Sequence, residues 1–271
     1  MQKRIFKVLA VLLVLVMAIG SIPVSAAKNV EAGSKKEVND AIGAKKAATV
    51  TLATDAEGKI VIHSQDGAEN NKKLVIDAPN ADIINYGSFK AVNIVACKSY
   101  REKGNLNTIY VKDNKAKIKV CKDTLVSNLV VQTKKATIEI NEGAGANITA
   151  KKANAKINIE AEDDTLVGVT IVKKATVNVK GSDESLIGIQ NLAEGSKIIA
   201  DSTVYVETEQ DLDVVLNAGA EASVIDKTSD AVDVDLDNNT ENVIIVTIGG
   251  EIPTQNPDNA STAAITVEGI N

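Results

Sequence analysis

Lys115-Ala116-Lys117-Ile118-Lys119-Val120 returns along the chain as Lys135-Ala136-Thr137-Ile138-Glu139-Ile140, then as Asn154-Ala155-Lys156-Ile157-Asn158-Ile159, and again as Lys174-Ala175-Thr176-Val177-Asn178-Val179. The alanines recur at spacings of 20, 19 and 20 residues. Each phrase alternates a small or branched apolar residue with a polar one, the pattern of a half-buried strand. A unit this short cannot bury its apolar face alone and has to stack on its neighbours. The repeat therefore predicts an all-β fold, a parallel β-helix (β-solenoid), with Ile118, Ile138, Ile157 and Val177 in one inward column. A second strand fills the gaps at 128–131, 147–150, 168–172 and 185–189, so each rung of about twenty residues makes one turn of the coil.

Outward from this centre the same pattern continues. Strands are expected at 49–52, 59–63, 74–77, 91–96, 108–112 and 117–121, with turns such as Asp66-Gly67, Asn70-Asn71 and Asn141-Glu142-Gly143 between them. After Gly195 the register weakens, and strands are expected at 203–206, 214–216, 223–225, 232–236, 243–248 and 263–267. A separate small β-sandwich over 207–271 is the alternative for that part. At the other end, Ser34-Lys35-Lys36-Glu37 fits a capping box, and Val38, Ala41 and Ile42 form one apolar stripe. A short helix over 35–43 is expected to close the N-terminal end of the stack, where open strand edges would recruit other chains. The organisation is thus a signal peptide at 1–26, a flexible lead-in at 27–33, a capping helix at 34–44, a solenoid over 45–250 and a polar tail at 251–271. Rungs 201–250 are the more acidic and less regular ones.

The first residues read as an export signal: Lys3, Arg4 and Lys7, an apolar run from Val8 to Ile19, and a small-residue cleavage site at Val24-Ser25-Ala26. That run is too short to span a bilayer comfortably, and no later segment is apolar enough. The expected protein is secreted, extracellular or held at the cell surface. Without the signal the charge is 27 − 36 = −9. Residues 90–180 hold 17 Lys and Arg against 9 acids, whereas 201–271 hold 15 acids against Lys227 alone. Neither that balance nor export suits duplex DNA binding. Beyond the signal there is no Trp, and Phe89, His63 and Arg101 are the single Phe, His and Arg. The core must be built from Val, Ile, Leu and Ala, which suits the narrow interior of stacked rungs.

The segment Val75-Ile76-Asp77-Ala78-Pro79-Asn80-Ala81-Asp82, with Asn85-Tyr86-Gly87-Ser88-Phe89-Lys90, resembles a phrase of the pectin-lyase-like, right-handed parallel β-helix superfamily. More narrowly, it is similar to secreted repeat proteins of Gram-positive anaerobes. The resemblance implies the fold, and it implies little about activity, since fold and function separate readily. Enzymes of the superfamily resemble one another in using an arginine base beside a carboxylate-bound calcium, or several aspartates. Here Arg101 lies in Tyr100-Arg101-Glu102-Lys103-Gly104, read as a solvated turn without an acidic cluster, and no paired-aspartate motif matches. His63 ends a strand with no partner histidine. A carbohydrate-binding module would need Tyr86, Tyr100 and Tyr110 gathered on one surface.

Three constellations remain. Aligning Ile94 with Ile118 places Cys97 and Cys121 three residues further on, as stacked neighbours on adjacent rungs, either bridged or as two reduced thiols. The pairs Lys134-Lys135, Lys151-Lys152 and Lys173-Lys174 each lead into the repeat strand. Stacked ammonium groups repel by only ~0.8 kcal/mol per neighbouring pair in water, so a solvated face or a stripe for an anionic polymer both fit. Asp233-Val234-Asp235-Leu236-Asp237-Asn238-Asn239 begins like a calcium loop, but it lacks the sixth-position glycine, and Ile244 stands where a bidentate Glu is needed. It reads as a strand with an acidic face. No catalytic, cofactor-binding or metal-binding residue emerges. The expectation is a non-enzymatic surface or extracellular-matrix interaction protein, with an anionic cell-wall polymer or polysaccharide as partner and self-association as a further property. A polysaccharide lyase or glycoside hydrolase on the same scaffold, or a carbohydrate-binding module, is the competing expectation.

Overall fold

The computed structural model describes residues 28–45, 47–217 and 220–227, and beyond them the backbone of strands Val234–Asn238, Val243–Thr247 and Thr262–Thr266. The expected signal segment lies outside the described residues, as does most of the expected C-terminal tail. The chain coils through about ten turns as a parallel β-solenoid. Every strand pairing is parallel.

Successive strands alternate between two sheets. The first sheet takes Lys28–Ala32, Ala47–Ala53, Asn107–Val111, Leu125–Val131, Gly145–Ala150, Leu166–Ile171, Leu186–Asn191, Val204–Thr208 and Ala222–Asp226, and it continues through Val243–Thr247 to Thr262–Thr266. The second takes Gly58–Ile62, Lys117–Val120, Lys135–Ile140, Ala155–Ala161, Ala175–Gly181, Ser196–Ala200, Leu212–Leu216 and Val234–Asn238. The long strands Lys73–Asn85 and Ala91–Glu102 serve both: their first halves pair within the first sheet, their second halves within the second, with a register break at the corner. The described strands past Gly195 stack by parallel pairing in the same two sheets.

Alternation decides which side chains go inside. Ala136, Ile138 and Ile140 of one strand are buried while Lys135 between turn and strand is exposed. Burying each isoleucine contributes about 1.5–3 kcal/mol. Ile118, Ile138, Ile157 and Val177 all point inward, but they do not form one column. Ile118 stacks on Ile138, and Ile138 on Ile159. Ile157 instead stacks between Ala136 and Val177. The corner from Ala150 to Ile157 holds two more residues than the corner from Val131 to Ala136, against which it stacks. Side chains alternate with period two, so a shift of two changes the partner and keeps the face.

The N-terminal end differs from the expected flexible lead-in. Residues Lys28–Ala32 form the outermost strand of the first sheet, paired with Ala47–Ala53. The helix α1, Lys35–Gly43, follows and takes the place of a second-sheet strand in that first turn, packing against Gly58–Ile62 as well. Its capping box forms in a shifted version: the Ser34 hydroxyl accepts from the Glu37 amide at 3.3 Å, and the Glu37 carboxylate accepts from the amide of Gly33, one residue before the N-cap, at 2.7 Å. Val38, Ala41 and Ile42 are buried against the strands.

One side chain of α1 stands in for part of a missing strand. The Asn39 amide donates to the Val61 carbonyl at 3.0 Å, and its oxygen accepts from the His63 amide at 2.8 Å. These are backbone groups at the edge of Gly58–Ile62 that a further rung would otherwise satisfy. Asn39→Ala is expected to lower the stability of the fold by about 1–2 kcal/mol, read from urea denaturation midpoints. An unchanged midpoint would show that water serves this edge as well as the asparagine does.

Candidate functional site

Each turn of the coil has two corners, one leading from the first sheet to the second and one leading back. Over the central turns charge is sorted between them, whereas the outgoing corners 54–57, 192–195 and 209–211 carry Asp55, Glu57, Glu194, Glu209 and Asp211 and no lysine. On the outgoing corner, the turns 112–116, 132–134, 151–154 and 172–174 carry Lys112, Lys115, Lys134, Lys151, Lys152, Lys173 and Lys174 against the single acid Asp113. Lys135 opens the next strand and stacks on Lys156. All of these lysines are exposed. Among the described residues none of them is in an ion pair.

Backbone hydrogen bonds fix this lysine edge. The Lys151 amide donates to the Val131 carbonyl at 3.0 Å, and the Lys156 amide to the Lys134 carbonyl at 2.8 Å. The Asn154 amide donates to the Lys174 carbonyl at 2.7 Å, with Asn154 in a left-handed conformation (φ 56°) that asparagine tolerates in a turn. The six lysines 134, 135, 151, 152, 173 and 174 are thereby brought to one edge on three successive turns.

From Cys121 onward the returning corner has the opposite sign, while the earlier returning turns 86–90 and 103–106 carry Lys90 and Lys103. Turns 121–124, 141–144, 162–165, 182–185 and 201–203 carry Asp123, Glu142, Glu162, Asp163, Asp164, Asp183, Glu184 and Asp201 against the single base Lys122. Lys122 reaches Glu142 on the next turn at 2.7 Å. Glu162 accepts from the Asn141 side chain at 2.9 Å and from the Glu142 amide at 3.1 Å. Beside this carboxylate edge, at the start of the first-sheet strands, stands a row of exposed leucines: Leu106 (67 % exposed), Leu125 (52 %), Leu166 (59 %) and Leu186 (50 %). Leu125 and Leu166 flank Gly145 in the ladder, and Leu166 stacks on Leu186. Sequence reading found charge asymmetry along the chain and missed the asymmetry across it. Sorting the turns alternately into two sets would have shown it.

The outer face of the first sheet carries a groove of about 590 Å³. Its floor is the column Asn147, Gly168, Gly188 and Tyr205, one residue per rung. A β-carbon on Gly168 would come within 2.7 Å of the Asn147 side chain, whereas one on Gly188 would meet nothing within 4 Å. Thr149, Thr170, Gln190 and Glu207 form the polar side. Tyr205, 49 % exposed, stands on the same column beyond Gly188. The aromatic residues considered from sequence do not gather. Tyr100 lies in the core, Tyr110 is half-buried, and Tyr86 is exposed with the Lys103 ammonium 5.2 Å from its ring centre.

Cys97 and Cys121 are free thiols and are not stacked. Cys97 stacks on Ala78 at the outgoing corner, while the Cys121 amide bonds to the Glu102 carbonyl at the returning one. Ile94 and Ile118 belong to different sheets, so their alignment does not correspond to a turn of the coil. Burial pushes the Cys97 thiol up to about 12, with Asp113 and Asp82 adding to the effect. That thiol stays protonated and unreactive.

Arg101 is not in a turn: it lies in the strand Ala91–Glu102, exposed and stacked between Ile84 and Lys119. His63 is exposed beside α1. The calcium-like segment is described only as the backbone of Val234–Asn238, a strand stacked on Leu212–Leu216, and its flanks lie outside the described residues. Among the described residues no group of three or more His, Cys, Asp and Glu is arranged to hold a metal ion. No helix among them is long and apolar enough to cross a membrane.

Glu102, which the sequence reading placed in a solvated turn, is buried at the inner side of the returning corner. It accepts hydrogen bonds from the Tyr100 hydroxyl at 2.6 Å, the Asn85 amide at 3.0 Å and the Gly104 backbone at 2.7 Å. Burial raises its carboxyl to about 7, against the pull of those donors. Burial and the neighbouring Glu102 also hold the Tyr100 phenol well above its usual value. Sealed from solvent, Glu102 ties successive rungs together and has no route to a substrate.

No protein-family model, curated protein or solved structure matches the chain.

The raised carboxyl makes stability depend on pH. Between the ordinary carboxyl value of 4.5 and about 7 the folded state holds a proton that the unfolded state has released. Stability from this group is therefore full below that window, falls by roughly 3 kcal/mol across it and is flat above it. Urea midpoints of wild type and Glu102→Gln, measured at intervals across the window, should diverge, with the variant lacking this fall. Parallel curves would mean that Glu102 is ionised throughout.

Proposed function

We propose that this protein is a secreted, non-enzymatic β-solenoid of pectin-lyase-like type that binds an anionic cell-wall polymer or polysaccharide along its lysine edge. The observation that carries the reading is the run of seven turn lysines on four successive turns, exposed, free of ion pairs among the described residues and accompanied by one acid. A rigid row with one or two ammonium groups per rung, repeating at about 4.8 Å, suits a linear polyanion better than a compact ligand. Among the described residues the one carboxyl pushed strongly from its ordinary value, Glu102, is walled in by its own hydrogen-bond partners, which favours binding over turnover.

Exposed charges of this kind act through a screened field, so binding should be steeply salt-dependent. In pull-downs with dextran sulfate and polygalacturonate, the wild type should bind at low ionic strength and release at about 0.5 M salt. Changing Lys134, Lys135, Lys151, Lys152, Lys173 and Lys174 to Gln should abolish binding. Equal retention of that variant at low salt would end the proposal.

The groove supports a second reading, a module that takes an uncharged glycan chain on the outer face of the first sheet. Glycine inside a strand weakens it and marks places where another chain approaches closely. At Gly188 neither crowding nor a left-handed backbone calls for glycine, and the omitted side chain leaves the floor open. Tyr205 supplies a ring for a sugar face, and Thr170 and Gln190 supply hydrogen-bonding groups. On a glycan array, Gly188→Leu and Tyr205→Ala should each lose neutral-glycan signal at least about tenfold while dextran sulfate binding persists. Neutral-glycan binding that survives both changes would exclude the groove.

A further inference from the structure

We infer that the carboxylate edge of one molecule receives the lysine edge of a second copy, so that solenoids line up side by side into an open array. This rests on the lysine edge being a binding surface, and it adds a protein partner for that surface. Three observations converge on a second copy as the occupant.

Charge comes first. From 112–116 to 192–195 one corner carries seven turn lysines against Asp113 and Glu194, and from 121–124 to 201–203 the opposite corner carries eight acids and one lysine. A plain sideways translation, with no rotation, brings unlike edges together at every contact. Period comes second. Both edges are built on the same rungs, so lysines and carboxylates advance with one repeat of about 4.8 Å, and a match on one rung is a match on its neighbours. The third is the leucine row, which charge alone does not explain. Leu125, Leu166 and Leu186 lie half or more exposed immediately beside the carboxylates. A lysine lays its methylene stem on apolar surface while its ammonium reaches outward to an acid. A surface that sets leucines next to Asp163, Asp164, Asp183 and Glu184 therefore offers both halves of a lysine side chain a partner.

Such a contact uses two different surfaces, so it is heterologous and does not close into a dimer. Each exposed ion pair contributes little, which makes the association weak, concentration-dependent and sensitive to salt.

Sedimentation velocity of the purified protein tests this with a charge swap. Wild type should grow in mass with concentration at about 20 mM salt and be monomeric at about 500 mM. Variant one changes Lys134, Lys151, Lys152 and Lys173 to Glu, and variant two changes Asp163, Asp164, Asp183 and Glu184 to Lys. Each alone should stay monomeric at low salt, and their mixture should associate, because each then offers what the other lacks. Circular dichroism shows whether both fold. Should either fail to, Leu166→Ser with Leu186→Ser keeps the charge and should weaken wild-type association at least about threefold. Wild type that stays monomeric at low salt, a lysine variant that still associates, or folded variants whose mixture does not associate would each overturn the inference. Dextran sulfate separates the two claims. If wild type stays monomeric and variant one loses polymer, the lysine edge stands without the array. If variant one keeps polymer, the reading of the lysine edge itself fails.

Discussion

Turn-upon-turn parallel hydrogen bonding is the constraint from which the other features of this molecule follow. Each backbone strand is satisfied only by the strand one turn earlier and one turn later, as in the unbroken series from Leu125–Val131 through Gly145–Ala150 and Leu166–Ile171 to Leu186–Asn191. That ladder fixes which residues become neighbours, and the side chains fill what is left inside. The interior between two sheets joined by short corners is narrow, so small branched residues fill most of it. Where a larger side chain enters, as at Tyr100, the corner has been rebuilt around it with Asn85, Glu102 and Gly104 supplying hydrogen bonds. The same ladder has an open end, and the first turn meets it differently in each sheet. A strand, Lys28–Ala32, extends the first sheet by one rung, while α1 lies where a second-sheet strand would be and offers the Asn39 side chain to two backbone groups.

The central repeat was legible because four consecutive turns there are close to twenty residues long and alternate cleanly. Its exact columns were not. The chain can lengthen a corner by two residues without turning any side chain outward, so alignment of alanines 136 and 155 gave the right face and the wrong partner. Shorter turns hid the rest of the period: Gln190 stacks on Glu207 only 17 residues later, and Asn85 on Glu102 at the same separation. The cysteine alignment failed for a related reason. A separation of 24 residues joins positions on different sheets when local turns are shorter than that, and the sequence carries no label for which sheet a strand belongs to.

The candidate surfaces were legible in unequal measure. The lysine pairs announced themselves because doublets of one residue type recur before a recognisable strand. The carboxylate edge did not, because its members are scattered as Glu142, Glu162-Asp163-Asp164 and Asp183-Glu184 and sit in turns that look like ordinary solvated loops. The groove was hidden for another reason. Gly168 and Gly188 occupy outward positions within strands, where sequence reading expects polar side chains and treats a glycine as a weakness. Glu102 was misplaced because it follows an arginine and precedes a lysine and a glycine, all signs of a turn. Its burial depends on Asn107, five residues on across the next corner, and on Asn85, one turn earlier, whose proximity exists only once the coil is wound.

Winding also explains how one chain comes to have surfaces of opposite sign so close together. In a globular domain, mixed charges interspersed in sequence end up interspersed in space. In a solenoid the sequence is folded back on itself every turn, so a residue's position within the repeat, rather than its place along the chain, decides where its charge appears. A bias shared by the central repeats, lysine at the outgoing corner and acid at the returning one, is multiplied over those turns into two edges. Each edge is rigid because its turns are held by backbone bonds to the turns above and below, such as that from the Lys156 amide to the Lys134 carbonyl and that from the Gly143 amide to the Asp163 carbonyl. Rows of charge held this way lose little freedom when they meet a partner with a matching repeat, which is the condition under which many individually weak contacts add to a specific one.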